Sequence, residues 1–205
     1  MRATFRVLYL ILIALATPLA AQEVGAPDTR PERAGFWWGV GAGVGWASIE
    51  CSYCTAGPLR APMIQLGAGV TLSRSFALGL QLAGGGKHDA YSGPADNTGT
   101  FGDVNLSVYW YPLPGGDLWV QGGVARVLWR VTKDPTDSNT YHAIATGLTA
   151  GVGYDLPIGR ALSITPSIRG VWGGKGDLVN EQTDARSEVE WRTTIVTAGI
   201  AIVWH

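Results

Sequence analysis

The chain has 205 residues, a net charge of −1, 15% charged residues and 46% hydrophobic residues. This balance argues against a nucleic-acid partner, because nucleic-acid binding favours a basic face. Beyond residue 21 there is no stretch of 18 consecutive apolar residues, so we expect no transmembrane helix. Low charge together with 29 glycines and 9 tryptophans suits an exterior that faces lipid and a narrow interior filled by small side chains.

The first 21 residues have the three parts of a secretory signal peptide. Arg2 and Arg6 supply the basic start, and the apolar segment that follows is too short to span a membrane as a helix. The small residues that come next place the cleavage site near Ala21. Residues 22–35 are polar and contain two prolines, so we expect a flexible periplasmic leader there and one domain over residues 36–205.

From residue 36 onward, units of about ten residues carry apolar side chains at every second position and end in a turn. In one unit Ile64, Leu66 and Ala68 alternate with Gln65 and Gly67. A period of two places the apolar groups on one face of a strand, and about ten residues suffice for a tilted strand to cross a bilayer. The predicted strands are Phe36–Ile49, Ile64–Leu72, Phe76–Ala83, Thr100–Tyr111, Leu118–Thr132, Tyr141–Asp155, Ala161–Gly173 and Trp191–His205.

The connections between these strands alternate between short turns and longer polar segments, as in outer-membrane barrels. We therefore predict an all-β fold, an eight-stranded antiparallel up-and-down transmembrane β-barrel in the bacterial outer membrane. An even number of strands leaves both termini in the periplasm. The predicted outer loops are Glu50–Pro62, Gly86–Thr98, Lys133–Thr140 and Lys175–Glu190. The last of these is rich in charge and either binds cations or partner proteins or is simply solvated.

Aromatic residues recur at two depths of the predicted barrel. From Trp38 to Trp46, one face of the first strand rises roughly 20 Å, close to the height of about 25 Å between the aromatic girdles of membrane barrels. Girdles of this kind mark the two membrane interfaces. The predicted girdle residues are Trp38, Trp110, Trp119, Tyr154 and Trp204 at the periplasmic ends of the strands and Trp46, Trp129 and Trp172 at the outer ends.

These strands and aromatic positions resemble the small eight-stranded outer-membrane barrels of the OmpA/OmpX type, over nearly all of the mature chain. The last strand ends in Trp204 and His205 and is similar to the terminal signal that the barrel-assembly machinery reads, although that family usually ends in an aromatic residue. The resemblance implies contact with outer-membrane lipid, binding to the barrel-assembly machinery during biogenesis, and a role in membrane integrity, surface adhesion or small-solute passage. An extracellular ligand would then bind the outer loops.

Cys51 and Cys54 lie in the first predicted outer loop. In an exported protein two cysteines predict a disulfide, and a polar loop does not match the helix start that redox motifs favour. A zinc site would need two further ligands, for which His88 and His142 are the candidates near the same end of the barrel. We expect no bound metal and no cofactor.

Four charged residues are assigned to the face of the strands that lines the lumen: Asp103, Arg126, Arg130 and Arg169. The assignment of Arg126 and Arg130 to the lumen depends on the fifth strand. The phase of this strand is ambiguous, and we expect a bulge in it near Ala125. Eight strands leave a lumen just wide enough for side chains, where an unpaired charge costs several kcal/mol. We hypothesise a salt-bridge plug, built on Asp103 with Arg126 and Arg169, that closes the lumen to ions. The alternative is that the arginines extend into water above the barrel.

Three other functions stay open: a small-solute pore, a lipid-modifying barrel enzyme and a soluble lipocalin-like barrel with an internal ligand. In the lipid A 3-O-deacylases, which are also eight-stranded barrels, the catalytic His and Ser lie two residues apart on a lipid-facing strand. Here His142 has a similar depth, but the position two residues on is Ile144, so the nucleophile is missing and we expect no enzyme. Alternation alone does not fix which face points inward. We favour a structural or surface-interaction role with a lumen plugged by side chains.

Overall fold

The structure is a computed structural model that describes residues 35–51, 54–88, 97–113, 116–133, 140–180, 186–187 and 191–205. The predicted signal peptide and all but the last residue of the predicted leader lie outside these ranges. Within them, no helix is long and apolar enough to cross a membrane. The strands are β1 (Gly35–Cys51), β2 (Cys54–Ser73), β3 (Phe76–His88), β4 (Asn97–Trp110), β5 (Leu118–Lys133), β6 (Thr140–Tyr154), β7 (Leu156–Pro157), β8 (Leu162–Asn180), β9 (Arg186–Ser187) and β10 (Trp191–Trp204).

Eight of these strands close into an antiparallel barrel, which confirms the predicted fold. The order in the sheet is β10-β1-β2-β3-β4-β5-β6-β8, and β8 pairs in turn with β10, while the two-residue strands β7 and β9 pair with β8. Trp38 in β1 pairs directly with Trp204 in β10. When the pairing is followed from Trp38 the other way around the barrel, through β2 to β8, it reaches Thr194 in β10, ten residues away from Trp204. This stagger reflects the strand tilt that lets eight strands close.

The two ends of the barrel differ in their connections. At the turn end, β1 begins, β10 ends, and short connections join β2 to β3, β4 to β5 and β6 to β8. The first of these is a tight turn in which Ser73 Oγ accepts the N–H groups of Ser75, over 3.3 Å, and Phe76, over 3.1 Å. The remaining connections lie at the opposite end, called the loop end here.

Side chains alternate between the lumen and the exterior along every barrel strand. In β4, Phe101, Asp103 and Asn105 are buried in the lumen, whereas Leu106 and Val108 are exposed on the outside. The exterior stripe is apolar on all eight strands, and each of them exposes at least one large hydrophobic side chain. An apolar outside around a filled inside is the arrangement of small membrane barrels.

The strands continue further at the loop end than the sequence predicts. β2 begins at Cys54 and β8 extends to Asn180, so most of the predicted loop Glu50–Pro62 and the start of Lys175–Glu190 are strand. The main-chain ladder between β1 and β2 holds there despite one irregularity after Ala47. The loop prediction depends on the apolar exterior stripe, and that stripe ends before the hydrogen-bonded ladder does.

The phase of β5, which alternation leaves ambiguous, is the opposite of the one that the girdle and lumen assignments imply. Its ladders with β4 and β6 pass through Ala125 without a shift in register, so the expected bulge is absent. Trp119 and Trp129 therefore point into the lumen, with 6% and 4% of their surface exposed, and Arg126 and Arg130 point outward. The girdle assignment of the two tryptophans and the lumen assignment of the two arginines are both wrong. Most aliphatic side chains of β5 share the parity of the arginines, and this stripe forms the outer face.

Candidate functional site in the barrel lumen

Asp103 of β4 and Arg169 of β8 form a salt bridge across the lumen. Arg169 Nη1 donates to Asp103 Oδ1 over 2.7 Å, and Nη2 donates to Oδ2 over 3.0 Å. Both side chains are buried, and their strands are three places apart in the sheet, so the bond connects separate parts of the wall. Two parallel hydrogen bonds match the fork of a guanidinium to a carboxylate, so each charge neutralises the other inside the barrel.

Two polar side chains of β4 extend this pair towards the turn end. Asn105 Nδ2 donates to Asp103 Oδ1 over 2.8 Å, and Ser107 Oγ donates to Asn105 Oδ1 over 2.9 Å. The three residues occupy successive inward positions of one strand, which is why a side chain can reach the next along the lumen wall. The carboxylate thus accepts three hydrogen bonds, and its buried charge is fully compensated.

Above the salt bridge, towards the loop end, the lumen is filled by apolar side chains. Ala47, Val127 and Ile195 have no exposed surface, and the rings of Phe101 and Trp129 stack with their centroids 5.7 Å apart. We call this group the loop-end layer. It consists of Ala47, Leu59, Ala61, Met63, Ala83, Phe101, Ala125, Val127, Trp129, Ala143, Ala145, Val171, Trp191 and Ile195.

Below the salt bridge, towards the turn end, aromatic side chains surround a buried carboxylate. Asp155 accepts hydrogen bonds from Tyr111 Oη over 3.1 Å, Trp119 Nε1 over 3.1 Å and Thr165 Oγ1 over 2.8 Å. A cavity of about 60 Å³ lies beside these groups, and the buried Tyr109 also lines it. We call the cavity and its walls the turn-end chamber. Its size and polar lining suit ordered water.

Glycines on the inward face leave room for two of the large rings. A Cβ atom on Gly153 would overlap the ring of Trp119, and one on Gly79 would overlap the ring of Trp37. The two indoles therefore lie flat against the strands behind them. Trp37 and Trp119 each pack edge-on against Tyr109, with ring centroids 5.4 and 5.2 Å away. The inward glycines thus allow an aromatic cluster to fill the turn end of a narrow barrel.

The other predicted girdle residues lie on the exterior. Trp38 and Trp110 near the turn end and Trp46 and Trp172 nearer the loop end are between 38% and 50% exposed, while Tyr154 and Trp204 are half-buried. The rings of Trp38 and Trp204 stack in parallel, with 4.1 Å between their centroids, across the seam between β1 and β10. The exterior therefore carries an aromatic tier at each of two heights.

Cys51 and Cys54 are the last paired residues of the ladder between β1 and β2. Their side chains lie outside the part of the chain that is described, so the disulfide stays a prediction. His142 lies on the outer face of β6, next to Arg130 in register. Among the described residues, no group of three or more His, Cys, Asp or Glu side chains is placed to hold a metal ion.

Sequence reasoning predicts the pairing of Asp103 with Arg169, but it misses Asn105 as a further donor to Asp103 and all three donors to Asp155. The alternation places Asp155 only at the end of a strand, and nothing in its local pattern indicates that three neutral donors converge on it. The inward parity of Asn105 and Ser107 on the same strand as Asp103 is a usable signal, because successive inward side chains are neighbours along a strand. Arg169 and Asp103 are the two members of the hypothesised network that the structure brings together.

The barrel resembles solved outer-membrane barrels in fold, at low sequence identity. No family model matches the sequence, and no curated protein does. Among solved structures, neisserial surface protein A is 15% identical with a TM-score of 0.51, and the match covers 82% of this chain and 96% of that one. OprG from Pseudomonas aeruginosa is 11% identical with a TM-score of 0.50, covering 85% of this chain and 98% of that one.

The chain has the fold of the small outer-membrane β-barrels. At identities this low the likeness concerns the fold alone. What this barrel does must therefore be argued from its own lumen and its own outer surface.

Proposed function

We propose that this chain is an outer-membrane protein with a structural or surface-interaction role, whose barrel spans the bilayer and whose lumen is closed. The observation that carries the proposal is the salt bridge between Asp103 and Arg169, which lies between two layers of packed side chains. We expect a lumen filled in this way to have no continuous water path. The specific contacts of such a protein are then made by its outside and its loops.

The exterior supports a membrane location. Large apolar side chains such as Ile64, Leu148 and Ile200 are more than half exposed, which would be unfavourable in water over so wide a surface. The same surface is favourable against lipid, and the exposed tryptophans at two heights suit the two interfaces of a bilayer. The arrangement also argues against a soluble lipocalin-like barrel, which would carry its polar side chains outside.

The role that we propose is not catalytic. On the outer face of β6, His142 is followed by Ile144 and then Thr146, so the position that a deacylase-like nucleophile would occupy holds an aliphatic side chain. In the lumen, the carboxylate of Asp103 is held by Arg169 and Asn105 rather than directed at a cavity. These features support a stable, inert barrel wall.

Fractionation tests the location. Inner and outer membranes are separated, and the extracted protein is run on a detergent gel with and without boiling. We expect the protein in the outer membrane and a band that shifts on boiling, because closed barrels resist detergent until heated. A periplasmic protein without a shift would contradict the proposal and favour the soluble ligand-binding alternative.

Planar bilayer recording tests the closed lumen. We expect the wild-type protein to add no steady current, and the double variant Asp103→Ala, Arg169→Ala to raise conductance because it removes the charged cross-link. A steady wild-type current would favour the small-solute pore. An unchanged conductance in the double variant would count against the charge pair as the plug and would assign closure to the loop-end layer alone.

A further inference from the structure

Three rows of outward-facing residues cross β3, β4, β5 and β6 near the loop end. Each row is a line of directly paired residues, so its members are neighbours on the outer wall. The middle row is Gly84, Gly102, Leu128 and Ile144. The row nearer the loop end is Gly86, Thr100, Arg130 and His142, and the row nearer the turn end is Leu82, Val104, Arg126 and Thr146.

The middle row forms a groove, because two of its four positions carry no side chain. Gly84 and Gly102 face each other across β3 and β4, beside the aliphatic side chains of Leu128 and Ile144. The groove has a volume of about 640 Å³, and Arg130 and His142 also line it. A Cβ atom placed on Gly84 would meet its nearest atom at 3.8 Å, so the space above this glycine is open.

Two arginines flank this groove on β5. Arg126 and Arg130 lie two positions to either side of Leu128, point outward and are exposed. An arginine on the lipid-facing side of a barrel is costly near the middle of the bilayer and becomes tolerable near the headgroups. In the part of the chain that the structure describes, no acidic side chain pairs with Arg126.

Another outward arginine near the same end, Arg60, packs on an aromatic ring of the barrel wall. The guanidinium of Arg60 lies over the ring of Trp46, 5.7 Å from its centroid. Arg126 and Arg130 of β5 stand next to an open apolar groove.

We propose that this groove binds an acylated, phosphate-bearing lipid of the outer leaflet. An acyl chain lies in the depression over Gly84 and Gly102, and the phosphate is bound by Arg126 and Arg130. Long basic side chains extend towards the headgroups near an interface, so Arg126 can approach the phosphate that Arg130 binds. Guanidinium groups bind phosphate through paired hydrogen bonds. A zwitterionic headgroup is a weaker ligand for them, because its own ammonium group offsets the charge of its phosphate. The inference rests on the proposed membrane location.

Lipid binding in nanodiscs tests whether the charges of Arg126 and Arg130 bind the phosphate. The protein is inserted into phosphatidylcholine nanodiscs, lipid A is titrated in, and the bound lipid is counted by native mass spectrometry. Relative to wild type, the double variant Arg126→Gln, Arg130→Gln is expected to bind lipid A about thirty-fold more weakly, since each basic residue near an anionic headgroup contributes about fivefold. The matched control Arg60→Gln removes an outward charge near the same end and should bind as wild type does.

A second pair of variants tests the groove without changing charge. Gly84→Leu fills the depression and is expected to weaken lipid A binding by roughly tenfold, because an acyl chain loses apolar contact there. Gly122 is another outward glycine, on β5 towards the turn end, and a Cβ atom placed on it would have no neighbouring atom within 4 Å. The control Gly122→Leu should leave binding unchanged.

The outcomes separate the lipid site from the membrane location. If the wild-type protein fails to insert, the proposed location is overturned and the site with it. If all variants insert and bind lipid A equally, the site alone is overturned. Displacement of lipid A by an equal concentration of inorganic phosphate would also overturn it, because the groove would then serve a free anion and make no use of the acyl chain.

Discussion

The two ends of the lumen are filled by different kinds of side chain. The loop-end layer consists of apolar and aromatic side chains, with Ala47, Val127 and Ile195 wholly buried. The turn-end chamber instead holds a carboxylate, Asp155, with three neutral donors around it and space for water beside it. The salt bridge between Asp103 and Arg169 lies between these two regions.

This difference determines where substitutions are tolerated. In the loop-end layer a polar atom finds neither a partner nor water, so it costs the full desolvation free energy. In the turn-end chamber a polar group that loses its partner can bind water in the existing space. The barrel is thus expected to be rigid and sensitive to substitution at one end and adaptable at the other.

The largest effect is expected from breaking the salt bridge on one side only. Arg169→Met leaves Asp103 buried and unpaired and should lower the free energy of unfolding by about 3–5 kcal/mol. The double variant Asp103→Leu, Arg169→Met removes both charges and should lose less. Urea unfolding in lipid vesicles, followed by tryptophan fluorescence, measures both. A single variant that is no less stable than the double one would mean that the charges are not coupled.

At the turn end, Asp155→Ala is expected to cost about 2 kcal/mol, the range of one hydrogen bond to a charged group. The loss is smaller than for Arg169→Met because water in the chamber can accept from Tyr111, Trp119 and Thr165. Asp155→Asn keeps one acceptor and serves as the control. The same urea unfolding experiment applies, and a loss for Asp155→Ala as large as that for Arg169→Met would show that the chamber does not admit water.

The smallest effects are expected at the boundary between the two regions, on β10. Ile195→Thr puts a hydroxyl into the loop-end layer and should cost about 1–2 kcal/mol. Two residues nearer the turn end, the buried Thr197 Oγ1 has no hydrogen-bond partner among the described residues, so Thr197→Val should change stability by less than about 0.5 kcal/mol. Equal losses at the two positions would mean that the boundary is elsewhere.

The fold is predictable from the sequence because every strand of a membrane-type barrel carries an apolar exterior stripe. Alternation assigns the outward stripes of β1, β6, β8 and β10 correctly, and it identifies Asp103 as inward from its strand alone. The prediction is wrong for β5 because two rules conflict there. Tryptophan is expected outside and arginine inside, whereas the tryptophans of β5 fill the lumen and its arginines face out.

The candidate site is less predictable because its contacts join strands far apart in sequence. Alternation tells which face a residue occupies but not which residues meet across the lumen. Asp155 lies between β6 and β7, and its donors come from β5, from β8 and from the residue after β4. Only the stagger of the closed barrel brings them to one depth. The groove on β3 to β6 likewise depends on the pairing register of its strands.

The stacked rings of Trp38 and Trp204 have a consequence for how the barrel forms. They lie on the ladder between β1 and β10, the pair of neighbouring strands with the greatest separation along the chain. Contacts between distant segments form late and slowly, because the chain between them must first be ordered. Until this seam forms, β1 and β10 each present an unpaired edge that other strands can join. The tryptophan stack therefore stabilises the pairing that closes the barrel last and removes its two open edges.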